Sequence, residues 1–417
     1  MLRIPQSIVG RIRVLHLLGW GFAALIVAGV MALGVGMARG VSAMYTEHDP
    51  CSLEVIRDSR MSALSAYFKE REDAMVLFAH SREVSGGLTA FSQAYAGVAQ
   101  LVSGAPTTVA DVWRQEVGRF IDQKSEKNGL PLPREEYLGH PSQALILQAL
   151  YLAKSSEVAV APETASYRYA YSVWNDALVR MADFGGLKDL MLVDLNGNVV
   201  YTARKGLDFA VNLKWNLHPN TGVRKVYDAA VQATEDSRVF QSDLVKSLFE
   251  PDSVSIHWAV PVFSGGKKIG VFMASRSSAE LNQLMSAVEG LGRTGETYLV
   301  GEDFRMRSPS RVFGSSWVLK QEMCVELVKE ALESGPIRRV DTNYRGVKAL
   351  SVAAPLEMSG GRWVVISEMA YDEVMERVQA LVRQIAWMGL GVLTCLLGSL
   401  YLAYRIVFRM LSETHIR

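Results

Sequence analysis

Cysteine is scarce: three residues in a chain of 417. That is too few for a disulfide framework. Cys51 and Cys324 fall in the middle segment and Cys395 in the last apolar run. A single Cys51–Cys324 bridge stays open in an oxidising compartment, and two free thiols are the plainer reading. An excess of one charge is missing too. The 44 basic and 43 acidic side chains leave a net charge of +1, so no global field favours nucleic acid. Any charged ligand must be held by local side chains. Catalytic signatures are also wanting: there is no HExxH, paired CxxC, Walker loop, GxSxG or histidine cluster. No catalytic residue, metal ligand or cofactor is assigned, and an enzyme is not expected. Gly265-Gly-Lys-Lys268 lacks the spacing of a phosphate loop and reads as a hairpin turn. Asp194 and Asp303 sit beside turns, where a carboxylate accepts backbone N–H groups.

What the chain does have is two long apolar runs. Val14–Ala38 exceeds the roughly 20 residues needed to cross a hydrocarbon core. Arg3, Arg11 and Arg13 precede it, which places the N-terminus on the cytoplasmic side. A cleaved signal peptide has a shorter apolar stretch, about 7–15 residues, so a retained anchor is expected. Ile385–Tyr404 carries no charge, and Trp387, Tyr401 and Tyr404 sit near its ends as an interfacial belt. The expected topology is two-pass, with residues 40–384 outside the cytoplasm.

Between the runs the texture changes once. From Ser52 to Val98, Met61, Leu64, Tyr67, Phe68, Met75 and Phe78 recur at helical steps. Asp111 is a candidate cap for a following helix, and Lys127 opens a turn-rich loop. Tyr167–Phe184 is a further helix, with Tyr171, Trp174, Leu178 and Met181 on one stripe. After Gly185-Gly186 strands take over. Leu190–Thr202 reads as a hairpin turning at Asn196-Gly197, a type I′ signal. Val254–Phe263 and Lys268–Ser275 form another pair, followed by a short helix, Ser278–Val288. The pattern then repeats. Thr297–Val300 and Phe304–Arg307 read as strands, Lys320–Ser334 as a helix, and Ile337–Asn343, Val347–Leu356 and Trp363–Met369 as closing strands. The fold class is α+β: two transmembrane helices flanking a long helical segment and two antiparallel-sheet units.

Several segments carry a resemblance. They are Leu190-Met-Leu-Val-Asp-Leu-Asn-Gly, Leu207-Asp-Phe-Ala-Val-Asn, Ala259-Val-Pro-Val-Phe with Lys268-Ile-Gly-Val-Phe, and Gly292-Arg-Thr-Gly-Glu-Thr-Tyr-Leu-Val-Gly-Glu-Asp, with Met306–Arg311, Tyr344–Val347 and Arg362–Glu368. Together they resemble the double Cache, or tandem PAS-like, sensor region of bacterial chemoreceptors and related transmembrane signalling receptors. The resemblance implies an organisation. Residues 14–38 are the first span, and 45–186 the long helix and helical part of the distal unit. Residues 187–288 form the membrane-distal PAS-like unit and 289–370 the membrane-proximal one. A juxtamembrane helix (371–384), the second span (385–404) and a short cytoplasmic tail (405–417) follow. The distal unit is expected to hold a small molecule, and the proximal unit to pass the change to the second span in a bacterial inner membrane. The amino-acid-binding pattern of the family does not align here, so the ligand class stays open. A homodimer is expected, with its seam near Met61–Phe78. No HAMP proline or output domain follows the second span. A tethered regulator of a separate signalling partner and a truncated receptor therefore stand as alternatives.

A PAS-like pocket is mainly apolar with a few placed polar groups. The distal candidates are Tyr171, Trp174, Tyr201, Asp208, Asn212, Phe240, Asp243 and Trp258. Strand alternation puts Trp258 with Ile256 on one face and His257 on the other. In the proximal unit Arg307, Ser308 and Arg311 are a polar set that could hold a carboxylate, with Tyr298 as a further candidate; a surface or inter-unit salt bridge is the plainer reading of that set.

Overall fold

The computed structural model describes residues 6–101, 117–119, 121–122, 142–152, 164–214, 222–246, 253–323 and 325–413. The expectations at Asp111, Lys127 and Cys324 lie outside the described residues. Two antiparallel sheets are strung along one long helix, α1 (Gln6–Ala79). Leu64, Tyr67, Phe68, Met75 and Phe78 of α1 are buried in a core shared with both sheets. That corrects the dimer seam expected near Met61–Phe78, because this stripe is spent inside its own chain. Within that stretch Leu77 is the exposed large apolar side chain among the described residues.

The helix expected to run unbroken from Ser52 to Val98 is interrupted. α1 stops at Ala79, and α2 (Arg82–Leu101) restarts beyond His80–Ser81. The Ser81 hydroxyl oxygen accepts the Val84 N–H at 3.2 Å, an N-cap that starts the new helix. Two more helices, α3 (Ser142–Tyr151) and α4 (Ala165–Phe184), complete the helical layer.

The distal sheet has strands β1 (Asp189–Val193), β2 (Val199–Thr202), β3 (Phe240–Gln241), β4 (Val245–Lys246), β5 (Val254–Ser264) and β6 (Lys267–Ser277). Its order is β2-β1-β6-β5-β3, with β4 also on β5. Helix α5 (Gly222–Gln232) lies between β2 and β3 in sequence. One sheet face (Leu192, Ile256, Trp258, Phe272) packs on α1, α2 and α4. The other (Met191, Val193, Val271, Met273) packs on α5 through Val226, Tyr227 and Ala230. The β5–β6 turn has positive φ at both Gly265 (56°) and Gly266 (77°), as a type I′ turn requires. The β1–β2 connection differs from expectation. Gly197 is at φ 94°, but Asn196 is not at positive φ, so the turn is not type I′. Instead Asp194 Oδ1 accepts the N–H groups of both Asn196 and Asn198 at 2.9 Å, and a longer side-chain-capped loop replaces the tight turn.

A short helix, α6 (Ala279–Met285), leads to the proximal sheet: β7 (Glu296–Gly301), β8 (Ile337–Thr342), β9 (Lys348–Met358) and β10 (Gly361–Ala370), ordered β7-β10-β9-β8. Helix α7 (Val325–Ser334) precedes β8, and begins five residues later than the periodicity suggested. Phe304–Arg307 is not a strand. Met306 makes only an isolated bridge to Val300, where the distal unit has β2. Both units open with a strand, pass through a helix and end in a long antiparallel pair, and in both the first strand pairs with the last.

The last helix, α8 (Tyr371–Glu413), starts directly where β10 ends. Within it Val382–Val407 spans 26 residues of mean hydropathy 1.8, none buried in the chain. Among the described residues it is the one helix long and apolar enough to cross a membrane. Ala23–Met37 in α1 is a shorter apolar stretch. Leu53 of α1 and Val374 of α8 share a small cluster with Leu350, Val352 and Met369 of the proximal sheet.

Candidate functional site

The edge strand β2 ends in a loop, residues 203–214, that folds back under α3 and α4. Three helix side chains grip the backbone of the strand and its loop. Gln148 Nε2 donates to the Phe209 carbonyl (2.8 Å), Tyr95 Oη to the Ala210 carbonyl (3.3 Å) and Tyr167 Oη to the Val200 carbonyl (2.6 Å). Lys205 and Ala210 both take positive φ, 52° and 63°. L-residues other than Asn and Asp rarely do so, and a chain holds them there only where the surroundings enforce it.

This fold-back gathers aromatic rings. Tyr201 stacks on Phe91 of α2 with centroids 4.7 Å apart, and its hydroxyl donates to Asn175 Oδ1 at 3.0 Å. Tyr151 and Tyr171 lie 4.8 Å apart, and Tyr151 meets Phe209 edge-on at 5.8 Å. The Lys205 ammonium points into the group. It sits 3.9 Å from the Tyr201 centroid, 5.0 Å from Tyr171, 5.1 Å from Phe209 and 6.0 Å from Tyr151. It also donates to the Thr202 carbonyl. Burial pushes the Lys205 pKa down to about 7, against an opposing pull from Asp189. Asp189 is itself buried at the start of β1. Burial, and then the Asp208 carboxylate, raise its pKa to about 7, although it accepts the Leu190 and Arg204 N–H groups at 2.7 and 3.0 Å.

Asp208 acts on Asp189 beside this group, and the other five distal candidates do not converge there. Trp174, one turn beyond Tyr171, packs against Gly86 and Gly87 of α2; a Cβ at Gly86 would collide with its ring. Trp258 is fully buried on the helix-facing side of the sheet, its indole donating to Gln241 Oε1 at 3.2 Å. Phe240 packs on the opposite, α5-side face. Asn212 ties the β1–β2 loop together, donating to the Asn196 carbonyl and Asn198 Oδ1 and accepting the Lys214 N–H. Asp243 faces the other unit. It holds the Arg307 guanidinium through two bonds of 2.8 and 2.7 Å and accepts the Trp363 indole N–H at 3.0 Å. Arg307, 4% exposed, also pairs with Asp303 at 2.9 Å. Two of the eight distal candidates, Tyr171 and Tyr201, thus share the aromatic group. Tyr151, Lys205 and Phe209 were missed. A lysine beside a glycine in a loop reads as solvated, and only the loop's fold-back turns it inward.

The corresponding part of the proximal unit is charged. Glu296 of β7 and Glu368 of β10 are direct cross-strand partners, and both are buried. Like charges placed opposite each other are destabilising. Arg345, from the β8–β9 turn, approaches Glu296 at 3.5 Å and Glu368 at 3.2 Å. The hydroxyls of Tyr344 and Tyr298 donate to Glu296 (2.6 Å) and Glu368 (3.0 Å), and Asn343 Nδ2 donates to Glu368 (2.6 Å). Burial, and then the facing Glu296, push the Glu368 pKa up. Ser308 accepts the Leu299 N–H at 2.9 Å, and Arg311 donates to the Gly292 and Gly295 carbonyls. The proximal candidates are therefore engaged within the fold.

Another concavity, a groove of about 690 Å³ at the β5–β6 tip, is lined by Thr234, Asp236, Arg238 and Phe263 among others, and holds none of the candidates.

No family model and no curated relative matches the chain. Solved structures similar to it include the ligand-binding domain of the amino-acid chemoreceptor PctC of Pseudomonas aeruginosa PAO1, in complex with GABA. It is 13% identical, with a TM-score of 0.34, over 49% of this chain and 92% of that one. The ligand-binding domain of the chemoreceptor CtaA of Pseudomonas fluorescens, with L-serine, is 14% identical, with a TM-score of 0.30, over 64% of this chain and 93% of that one. An extracellular domain assigned to a histidine kinase, vpHK1S-Z8, is 12% identical, with a TM-score of 0.33, over 69% of this chain and 96% of that one. These are sensor domains of the kind the sequence resembles.

Proposed function

We propose that the protein is a two-pass receptor of a bacterial inner membrane, with both sheet units outside the cytoplasm, and that it senses a small molecule through the distal unit. The observation that carries this reading is the direct passage of β10 into α8. A central strand of the proximal sheet becomes, without a loop, the helix that contains the apolar 26-residue stretch. Any displacement of that sheet is delivered to the stretch through a rigid rod.

Two further contacts support the route. Asp243 and Arg307 clamp the distal unit to the proximal one. At the start of α8, Glu373 accepts the N–H groups of Arg293 and Thr294 (2.8 and 2.9 Å) and the Thr294 hydroxyl (2.5 Å). Burial alone would raise the Glu373 pKa, but these bonds outweigh it and hold it below the usual carboxylate range. The segment joining the units is thus pinned to the first turn of the exit helix. The site takes part in no bond-making in this reading, and the protein acts by binding alone.

Two measurements test the reading. Reporters fused at residue 5 and near residue 230 should fall on opposite sides of the membrane; the same side for both would end it. The full chain in nanodiscs should gain thermal stability from some member of a panel of amino acids, carboxylates, amines and purines, since a ligand that prefers the native state stabilises it.

A further inference from the structure

The Lys205 ammonium is an unusual guest. A lysine normally extends its charge to water and buries only its stem. Here the charge is the buried end, and four rings from separate parts of the chain converge on it: Tyr151 of α3, Tyr171 of α4, Tyr201 of β2 and Phe209 of the loop. A cation within about 6 Å of a ring centroid is drawn to the ring face, and several faces together make a cage that selects organic cations. An ammonium has three N–H donors, and among the described residues Lys205 is given one acceptor, the Thr202 carbonyl. Beside that acceptor stand the four ring faces and the electrostatic pull of Asp189. The backbone that delivers it is in the left-handed region, so the guest is held at a conformational cost.

We propose that these four rings form a cation-binding site occupied at present by the chain's own Lys205, and that its external ligand is an organic ammonium ion which takes that side chain's place. The proposal deepens the sensor reading above and rests on it. Three properties make the exchange feasible. Lys205 holds its proton weakly when buried, so the tethered guest is a poor one. A permanently charged or strongly basic amine would fill the same rings without that weakness. Asp189 acts electrostatically on Lys205, and a more basic cation in the same rings would draw its carboxyl toward the ionised form. Release of Lys205 would also free the loop of its left-handed residue, and that loop belongs to the strand β2 whose partner β1 lies against β6. Occupancy of the cage is thereby tied to the sheet.

The test uses the full chain in nanodiscs, with binding read by calorimetry and folding by the melting transition. Lys205→Ala leaves a cavity shaped for the removed side chain. It should bind n-butylammonium and tetramethylammonium at least ten-fold more tightly than the wild type does. Uncharged n-butanol should show no such gain. Tyr201→Leu added to Lys205→Ala should lose at least ten-fold of the gain. The proposal is overturned if n-butanol matches n-butylammonium, if wild type and Lys205→Ala bind the ions equally, if neither binds them, or if the loss of Tyr201 changes nothing. Lys205→Gln serves if Lys205→Ala does not fold; if neither folds, Lys205 is a structural strut and the proposal fails. A panel compound that stabilises the wild type while the variants ignore ammonium ions would remove this site and leave the sensor reading intact. Reporters on one side of the membrane would remove the sensor reading itself.

Discussion

The two sheet units share a strand plan and differ in what fills the space beside their first strand. The distal unit places aromatic rings there around one cation with few hydrogen-bond partners. The proximal unit places two carboxylates, an arginine, two tyrosines and an asparagine there, each bonded to another. A buried network of interlocking charges and hydrogen bonds is rigid, because removing one member strands the others. A cation held mainly by ring faces strands fewer partners when it leaves. The difference suits a proximal unit that transmits and a distal unit that exchanges its guest.

The contrast can be broken at Arg345. Its loss leaves Glu296 and Glu368 facing each other in the interior, so Arg345→Met should cost about 3 kcal/mol in chemical unfolding. Adding Glu368→Gln should recover part of that loss, because one of the two like charges is gone; no recovery would mean that the network is not what holds the unit. Next comes the junction. Arg307→Met removes a buried guanidinium from Asp243 and Asp303 and should cost about 2 kcal/mol. It should also separate the units, seen as increased proteolysis between residues 278 and 296. Glu373→Ala leaves the Arg293 and Thr294 N–H groups without their acceptor, should cost about 1 kcal/mol, and should weaken any ligand effect on α8 measured by spin labels.

A pH titration sharpens the comparison further. The Asp189 pKa of about 7 in the folded chain stands above the roughly 3.9 of an unfolded aspartate. The folded state therefore binds more protons between those values. The stability tied to Asp189 is complete below about pH 4 and is lost as pH rises through about 7. Asp189→Asn, which keeps an acceptor for the Leu190 and Arg204 N–H groups, should flatten that fall in the melting temperature relative to wild type. An unchanged slope would show that Asp189 is not the group involved. The smallest effect is expected at Lys205. Lys205→Met should change stability by no more than about 1 kcal/mol, since the ammonium's desolvation offsets its attraction to the rings. A loss as large as that of Arg345→Met would erase the distinction between the units.

Much of the architecture was legible in the residues. The helical stripe from Leu64 to Phe78, the Gly265-Gly266 turn and the alternation that sets Trp258 opposite His257 all follow from local rules of period and φ. The misreadings have local causes as well. Asn196-Gly197 has the residue types of a tight turn, but the Asp194 side chain competes for the same N–H groups and caps a longer loop. Phe304–Arg307 had strand-like residues but no full partner strand to bond with. The candidate site was less legible. Tyr171 and Tyr201 stood out as aromatic residues near a sheet, whereas Asp243 and Arg307 turned out to face each other across 64 positions of sequence.

The sequence by itself determined the apolar runs, the long helical stripe, the β5–β6 and β9–β10 pairs and which side chains those strands send to which face, because those follow from spacing within a few residues. Only the tertiary structure decided which charges meet. Whether a lysine is solvated or caged, and whether a glutamate is exposed or opposed by another, depends on groups brought from distant positions, and their energies are set by burial that no local pattern records.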